Sequence, residues 1–308
     1  MRAAIMMLSD RETGQDVCSF AEQLLTEISA AFGHSFSLLQ GTLDADGPDD
    51  ATVDGCRSGK AVFLSDAECA GADALYDALN LPLRIRSFTL PTALSGTTPV
   101  RMCVGTVLSL DRDTLASAMA NAFHFAQDQE LPLAHIAPTG SSKSDWDQAV
   151  QCQQRISPRV ASTPLSAPDA IQAMITAPEK MGLLLCPPYA GSILLSAGSS
   201  LCPHPAMIHE MVFDDSLAVY APCLPASAAG HEPQPLGIAC AISRMLKCSL
   251  GLVREAGCLN AAMENVLAAG WHTRATQAGG ISAQGMVELI CEQIAVAGEL
   301  MRKGRFGM

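Results

Sequence analysis

The chain has 308 residues, with 31 Asp and Glu against 19 Lys and Arg, giving a net charge of -12; 49% of residues are hydrophobic and 16% are charged. That apolar content excludes a disordered chain, and the length is enough for one large or two ordinary domains with a sizeable core. The acidic balance excludes nucleic acid as a main partner, because phosphate binding needs clustered Lys and Arg.

Residues 3–8 form an apolar run that then meets Ser9-Asp10-Arg11-Glu12. This is too short for a signal segment and is expected as a buried first strand. No run approaches the ~18 apolar residues of a membrane-spanning helix, so a cytoplasmic protein without a membrane partner is expected. The twelve cysteines include no Cys-x-x-Cys pair. They are expected as small buried thiols rather than zinc ligands or disulfides.

Along the chain, short apolar runs alternate with longer helical periods, the pattern of an α/β fold. Asp16 opens a helix through Phe20, Leu24, Leu25 and Ile28 to a stop at Gly33. Strands are expected at residues 35–39 and 61–64. Asp111-Arg112-Asp113 starts a helix over residues 115–126. A strand at 131–136 and a helix at 144–154 around Trp146 follow, then strands at 183–186 and 217–220. The last third holds three Ala-, Met- and Leu-rich helices, at 238–253, 259–269 and 282–301, whose apolar residues surround much of the circumference.

Several loops carry residues capable of chemistry. Residues 41–50 are acidic and turn-rich but lack the ligand spacing of a calcium loop. Thr139-Gly140-Ser141-Ser142-Lys143-Ser144 is a small turn before a helix that can present backbone N–H groups and Lys143 to an anion. It lacks the spacing of a P-loop, and Ser-rich turns mostly serve as caps. His204 and His209-Glu210 do not have the His-Glu-x-x-His spacing of a zinc site and are expected at a surface or interface. His231 and Glu232 belong to a long Pro- and Ala-rich connection over residues 221–235. His135 lies on an expected buried strand, as a satisfied core histidine.

Read in order, several segments resemble the isocitrate/isopropylmalate dehydrogenase family of metal-dependent β-decarboxylating dehydrogenases. They are Gly14-Gln15-Asp16-Val17, Leu75 to Leu81 with Arg86 downstream, Ala190-Gly191-Ser192-Ile193-Leu194-Leu195-Ser196, and Val266 to Arg274 with Gly279-Gly280. The resemblance implies a two-domain α/β fold. One domain comes from both ends of the chain, residues 1–87 and 203–308, and an inserted α/β domain covers residues 88–202. It also implies NAD or NADP with Mg or Mn as the family's cofactors, and a dimer.

The family oxidises a 2-hydroxy acid and releases CO2. That chemistry needs arginines for the substrate carboxylates, hard carboxylate oxygens for the metal and a Lys and a Tyr for proton transfer. The resemblance aligns these positions with Tyr76, Arg86, Ile136, Pro168 (Asp169 one position off), Ser192 and Ser196, and the cofactor loop with residues 220–227, where Leu224 and Pro225 stand. The chain is also expected to be shortened between Arg86 and His135, without the clasp arm and without a Tyr in that interval. The main expectation is therefore a shortened, degenerate member in which most catalytic, metal and NAD(P) residues are replaced, without dehydrogenase catalysis, acting as a binding, regulatory or assembly paralogue. Its partners would be a second copy or a family relative, with a small anionic ligand as a further candidate. The alternative is an NAD(P)-dependent oxidoreductase of a small 2-hydroxy acid whose redesigned site uses Arg86, Arg101, Lys143 and His135.

Overall fold

The computed structural model describes residues 1–10, 14–90, 100–202, 207–223, 233–274, 276–277 and 279–302. The chain divides into two compact α/β units, one from Met1–Leu79 with Leu217–Met308 and the other from Asn80–Ser216.

The first unit begins with β1 (Arg2–Asp10), α1 (Gly14–Phe32), β2 (Ser35–Leu43), α2 (Asp50–Ser58), β3 (Ala61–Leu64) and α3 (Ala72–Ala78). α1 forms because Val17, Ala21, Leu24, Leu25 and Ile28 recur at three- and four-residue spacing and are all buried. It ends where expected, at Gly33. There a φ of +72° lets the Gly33 and His34 amides both donate to the Ser29 carbonyl, at 2.9 and 3.0 Å. β3 is buried on both faces, which its unbroken Ala-Val-Phe-Leu run dictates.

The second unit supplies, in chain order, β4 (Leu83–Leu90), β5 (Val100–Val107), α4 (Arg112–Asp128), β6 (Leu133–His135), α5 (Ser142–Ile156), β7 (Ser162–Pro164), α6 (Ala167–Thr176), β8 (Leu183–Cys186), α7 (Pro188–Leu201) and β9 (His209–Phe213). The chain then completes the first unit with β10 (Ala218–Pro222), α8 (Pro235–Cys248), α9 (Val253–Ala268) and α10 (Ala283–Arg302).

In the first unit the strands run in the order β2-β1-β3-β10, all parallel. α8 is buried all round from Pro235 to Leu246, packing against α1, α9, α10 and β10. This explains the lack of a polar face in its sequence.

In the second unit the order is β9-β4-β5-β8-β6-β7. β4 is antiparallel to both neighbours, and the pairs from β5 to β7 are parallel. Residues 80–87 and 207–216, grouped with the chain ends in the sequence reading, lie in this unit. The physical reason is pairing: β4 carries the whole register of β5 on one side and β9 on the other. Opposed residues share a sheet face. Phe88 and Thr106 lie on the face covered by α7, where a side chain on Gly198 or Gly191 would run into them. Phe213 lies on the opposite face, with its ring 6.1 Å from that of Phe125 on α4.

Candidate functional site

A largely buried charge cluster in the second unit is built on β4 and β9. Arg84 and Arg86 stand two residues apart, so both point to the same sheet face, and Arg86 is directly opposite Glu210 on β9. Arg86 Nε donates to Glu210 Oε2 at 2.5 Å, and Arg84 Nε lies 3.4 Å from the same oxygen. The Glu210 side chain is 1% exposed, against 18% and 14% for Arg84 and Arg86. A buried carboxylate persists only when opposite charge compensates its lost hydration. Two guanidiniums do so here.

The other candidates do not join it. His135 is buried on β6, three strands from β4, about 14 Å away at normal strand spacing. It pairs in register with Leu185, which pairs with Gly105, opposite Ile85. By strand alternation this is the face opposite Arg86. Its Nδ1 accepts a hydrogen bond from the indole N–H of Trp146 at 3.3 Å, and burial lowers its pKa, helped by the Lys143 charge and opposed by Asp147.

Lys143 is exposed in the first turn of α5 and ion-pairs with Asp147 one turn along. Its charge is thus turned along the helix, while Asp145 adds negative charge to the same helix start. Arg101 is exposed at the start of β5, opposite Thr89, and by alternation on the face away from Arg86. Arg86 is therefore separated from the other three: Arg101 and His135 lie on the opposite sheet face, and Lys143 lies on α5.

The positions that the resemblance aligns with a metal do not form a donor set. Ser192 and Ser196 are exposed on α7, and the Ser192 hydroxyl donates to the Tyr189 carbonyl at 3.3 Å. Pro168 and Asp169 are exposed in the first turn of α6, where the Asp169 carboxylate accepts from the Ser166 hydroxyl at 2.6 Å. No cluster of three or more metal-ligating side chains occurs among the described residues. Tyr76 is buried in α3, and Ile136 is buried with its amide bonded to the Leu185 carbonyl at 2.8 Å. Leu224, Pro225, His204, His231 and Glu232 lie outside the described residues.

The sequence does not single out Arg84 or the role of Glu210, and it leads to His209 at a surface or interface. His209 is buried on β9, with Nδ1 3.1 Å from the Met207 carbonyl. The available signal was Arg84-Ile85-Arg86, two charges on one face of a strand, together with a lone acid in the apolar run 208–213.

The fold this geometry defines is a two-unit α/β architecture, as the sequence led us to expect. It is similar to the isocitrate dehydrogenase from Methylococcus capsulatus, with a TM-score of 0.78 and 14% identity over 95% of this chain and 99% of that one. It is equally similar to the TT0538 protein from Thermus thermophilus, with a TM-score of 0.78 and 14% identity over 94% of this chain and 68% of that one. At this identity the likeness establishes the fold alone. No protein-family model and no curated protein matches the sequence. Among the described residues no helix is long and apolar enough to cross a membrane.

Proposed function

We propose that this chain is a non-catalytic member of the isocitrate/isopropylmalate dehydrogenase family that serves as a binding, regulatory or assembly subunit. The observation that carries this reading is the Arg86–Glu210 contact at 2.5 Å, with the carboxylate fully buried. Arg86 is the arginine aligned with a substrate-binding position, and here a carboxylate of the protein itself holds it. Glu210 takes the Nε–H of Arg86 and neutralises part of its charge, which weakens the pull of this arginine on a substrate carboxylate. The exposed Ser192 and Ser196 support the same reading, since neutral hydroxyls offer a divalent ion dipoles where charge is needed.

The partner is a second copy or a family relative. Tyr189 and Ile193, one turn apart on α7, and Ile175 on α6 are each at least half exposed, an apolar surface suited to a partner helix. The reading is tested by titrating the purified protein with NAD(H), NADP(H) and Mg or Mn in a calorimeter, with isocitrate and isopropylmalate added in turn. No heat of metal-dependent cofactor binding is expected. Micromolar cofactor binding with metal-dependent NAD(P) reduction would overturn it.

A further inference from the structure

The first unit has an open sheet edge with unusual chemistry. Among the described strands β2 pairs only with β1, and it does so along all nine of its residues. Natural edge strands are commonly short or carry Lys or Pro, which discourages pairing with another chain. The edge strand of the second unit, β7, follows that rule: it has three residues and ends in Pro164. β2 has nine residues, Ser-Phe-Ser-Leu-Leu-Gln-Gly-Thr-Leu, with no charge and no proline.

Its hydrogen-bonding polarity follows from one contact. The Ser35 amide donates to the Met1 carbonyl at 3.0 Å, so the odd-numbered residues of β2 face β1. In a parallel pair the intervening residues point their N–H and C=O groups the other way. Phe36, Leu38, Gln40 and Thr42 therefore present backbone donors and acceptors at the open edge.

Beside this edge lies a cavity of about 210 Å³. Leu25, Thr26 and Ser29 of α1 form one wall, and His34, Phe36 and Leu38 form the other. His34 is fixed as a wall by Glu255 of α9, 2.7 Å from its Nε2, and by stacking on Phe32 at 6.3 Å. A free backbone edge beside a side-chain cavity is the arrangement by which folded domains capture extended peptides. The edge supplies main-chain bonds, and the cavity selects a side chain.

Charge identifies the peptide. Residues 14–56 hold eight Asp and Glu and no Lys or Arg, much of the chain's net -12. Glu22 and Glu27 lie on α1, and Asp50 and Asp54 on α2, and both helices pack against β2.

We propose that the β2 edge docks an extended, Lys- or Arg-bearing segment of another protein, antiparallel to β2, with one apolar side chain seated in the cavity. This surface lies in the first unit and does not depend on the state of the Arg84–Arg86–Glu210 cluster, so either reading can fail without the other.

The test uses the intact protein and a fluorescein-labelled heptapeptide, Lys-Leu-Lys-Phe-Lys-Leu-Lys, followed by anisotropy at about 0.15 M salt, where long-range attraction is screened. Saturable binding is expected, weakened at least tenfold when alternate peptide amides are N-methylated, which removes edge hydrogen bonds and keeps the charge. Gln40→Pro removes an outward N–H while sparing the β1 ladder, and Ser29→Phe fills the cavity; each is expected to weaken binding at least tenfold, with circular dichroism checking the fold. Three results would overturn the proposal: no saturable binding to the native protein, equal binding of the N-methylated peptide, or a self-association abolished by Gln40→Pro, which would make a second copy the occupant.

Discussion

Removing the carboxylate of Glu210 is the sharpest perturbation of the second unit. Arg84 and Arg86 approach its Oε2 at 3.4 and 2.5 Å. Unit charges about 4 Å apart attract by about 4 kcal/mol at an effective dielectric near 20, and desolvation offsets much of this. Deleting the carboxylate takes this partner from two largely desolvated guanidiniums, a loss of about 3–5 kcal/mol. Glu210→Ala is therefore expected to destabilise the second unit by that amount, about 10–15 °C in Tm at roughly 3 °C per kcal/mol. The triple variant Arg84→Met, Arg86→Met, Glu210→Met should recover at least half of the loss, because apolar replacement of a whole buried charge cluster is often neutral. Urea unfolding followed by fluorescence suits the test. Trp146 is fully buried in the second unit, while Trp271 is 45% exposed in the first, so a Trp271→Phe background isolates the relevant signal. A loss below about 1 kcal/mol for Glu210→Ala, or a triple variant no more stable than the single one, would refute the charge-locking argument.

His135, its pKa lowered mainly by burial, should titrate below its ordinary value when followed by NMR. The unfolded chain then takes up a proton first, so the stability that His135 contributes is present above pH about 6.5 and is lost as pH falls; a midpoint at or above the ordinary value would contradict this. Gly198→Ala would bring a Cβ within 2.3 Å of the Phe88 ring, so overpacking of about 1–3 kcal/mol should outweigh the helix propensity gained, measured by denaturant midpoint. Cys18 and Cys186, whose thiols burial pushes up to about 12, should resist a thiol reagent at neutral pH in the native state. The exposed Cys152 and Cys248 should react first; mass spectrometry of the labelled peptides decides the order.

What the sequence made legible divides along physical lines. Local signals carried α1, with its apolar periodicity and Gly33 stop, and the wholly buried runs of β3 and β8. β4 and β9 were not read as strands because each carries charge or His where a buried strand is expected to be apolar. Those charges meet only across the sheet, between residues 124 positions apart, a pairing that no local pattern reveals. α9 begins at Val253, six residues before the expected start, because α8 ends at Cys248 and the left-handed Gly251 separates the two helices. For the site, Arg86 was legible through its downstream position in a family-like segment. Arg84 and Glu210 were not, and His135 and Lys143 were grouped with it through the resemblance that aligns the neighbouring Ile136 with a catalytic position, whereas β6 lies three strands from β4. The acidic balance gains a structural meaning where residues 14–56, rich in Asp and Glu, include an uncharged edge strand.

The central claim, that catalysis is absent, is tested most directly by initial rates. The purified protein is mixed with isocitrate or isopropylmalate, NAD or NADP, and Mg or Mn, and nicotinamide reduction is followed by absorbance. No substrate-dependent rise above a protein-free blank is expected in any combination. A metal-dependent, saturable rate that disappears in Arg86→Ala would contradict it.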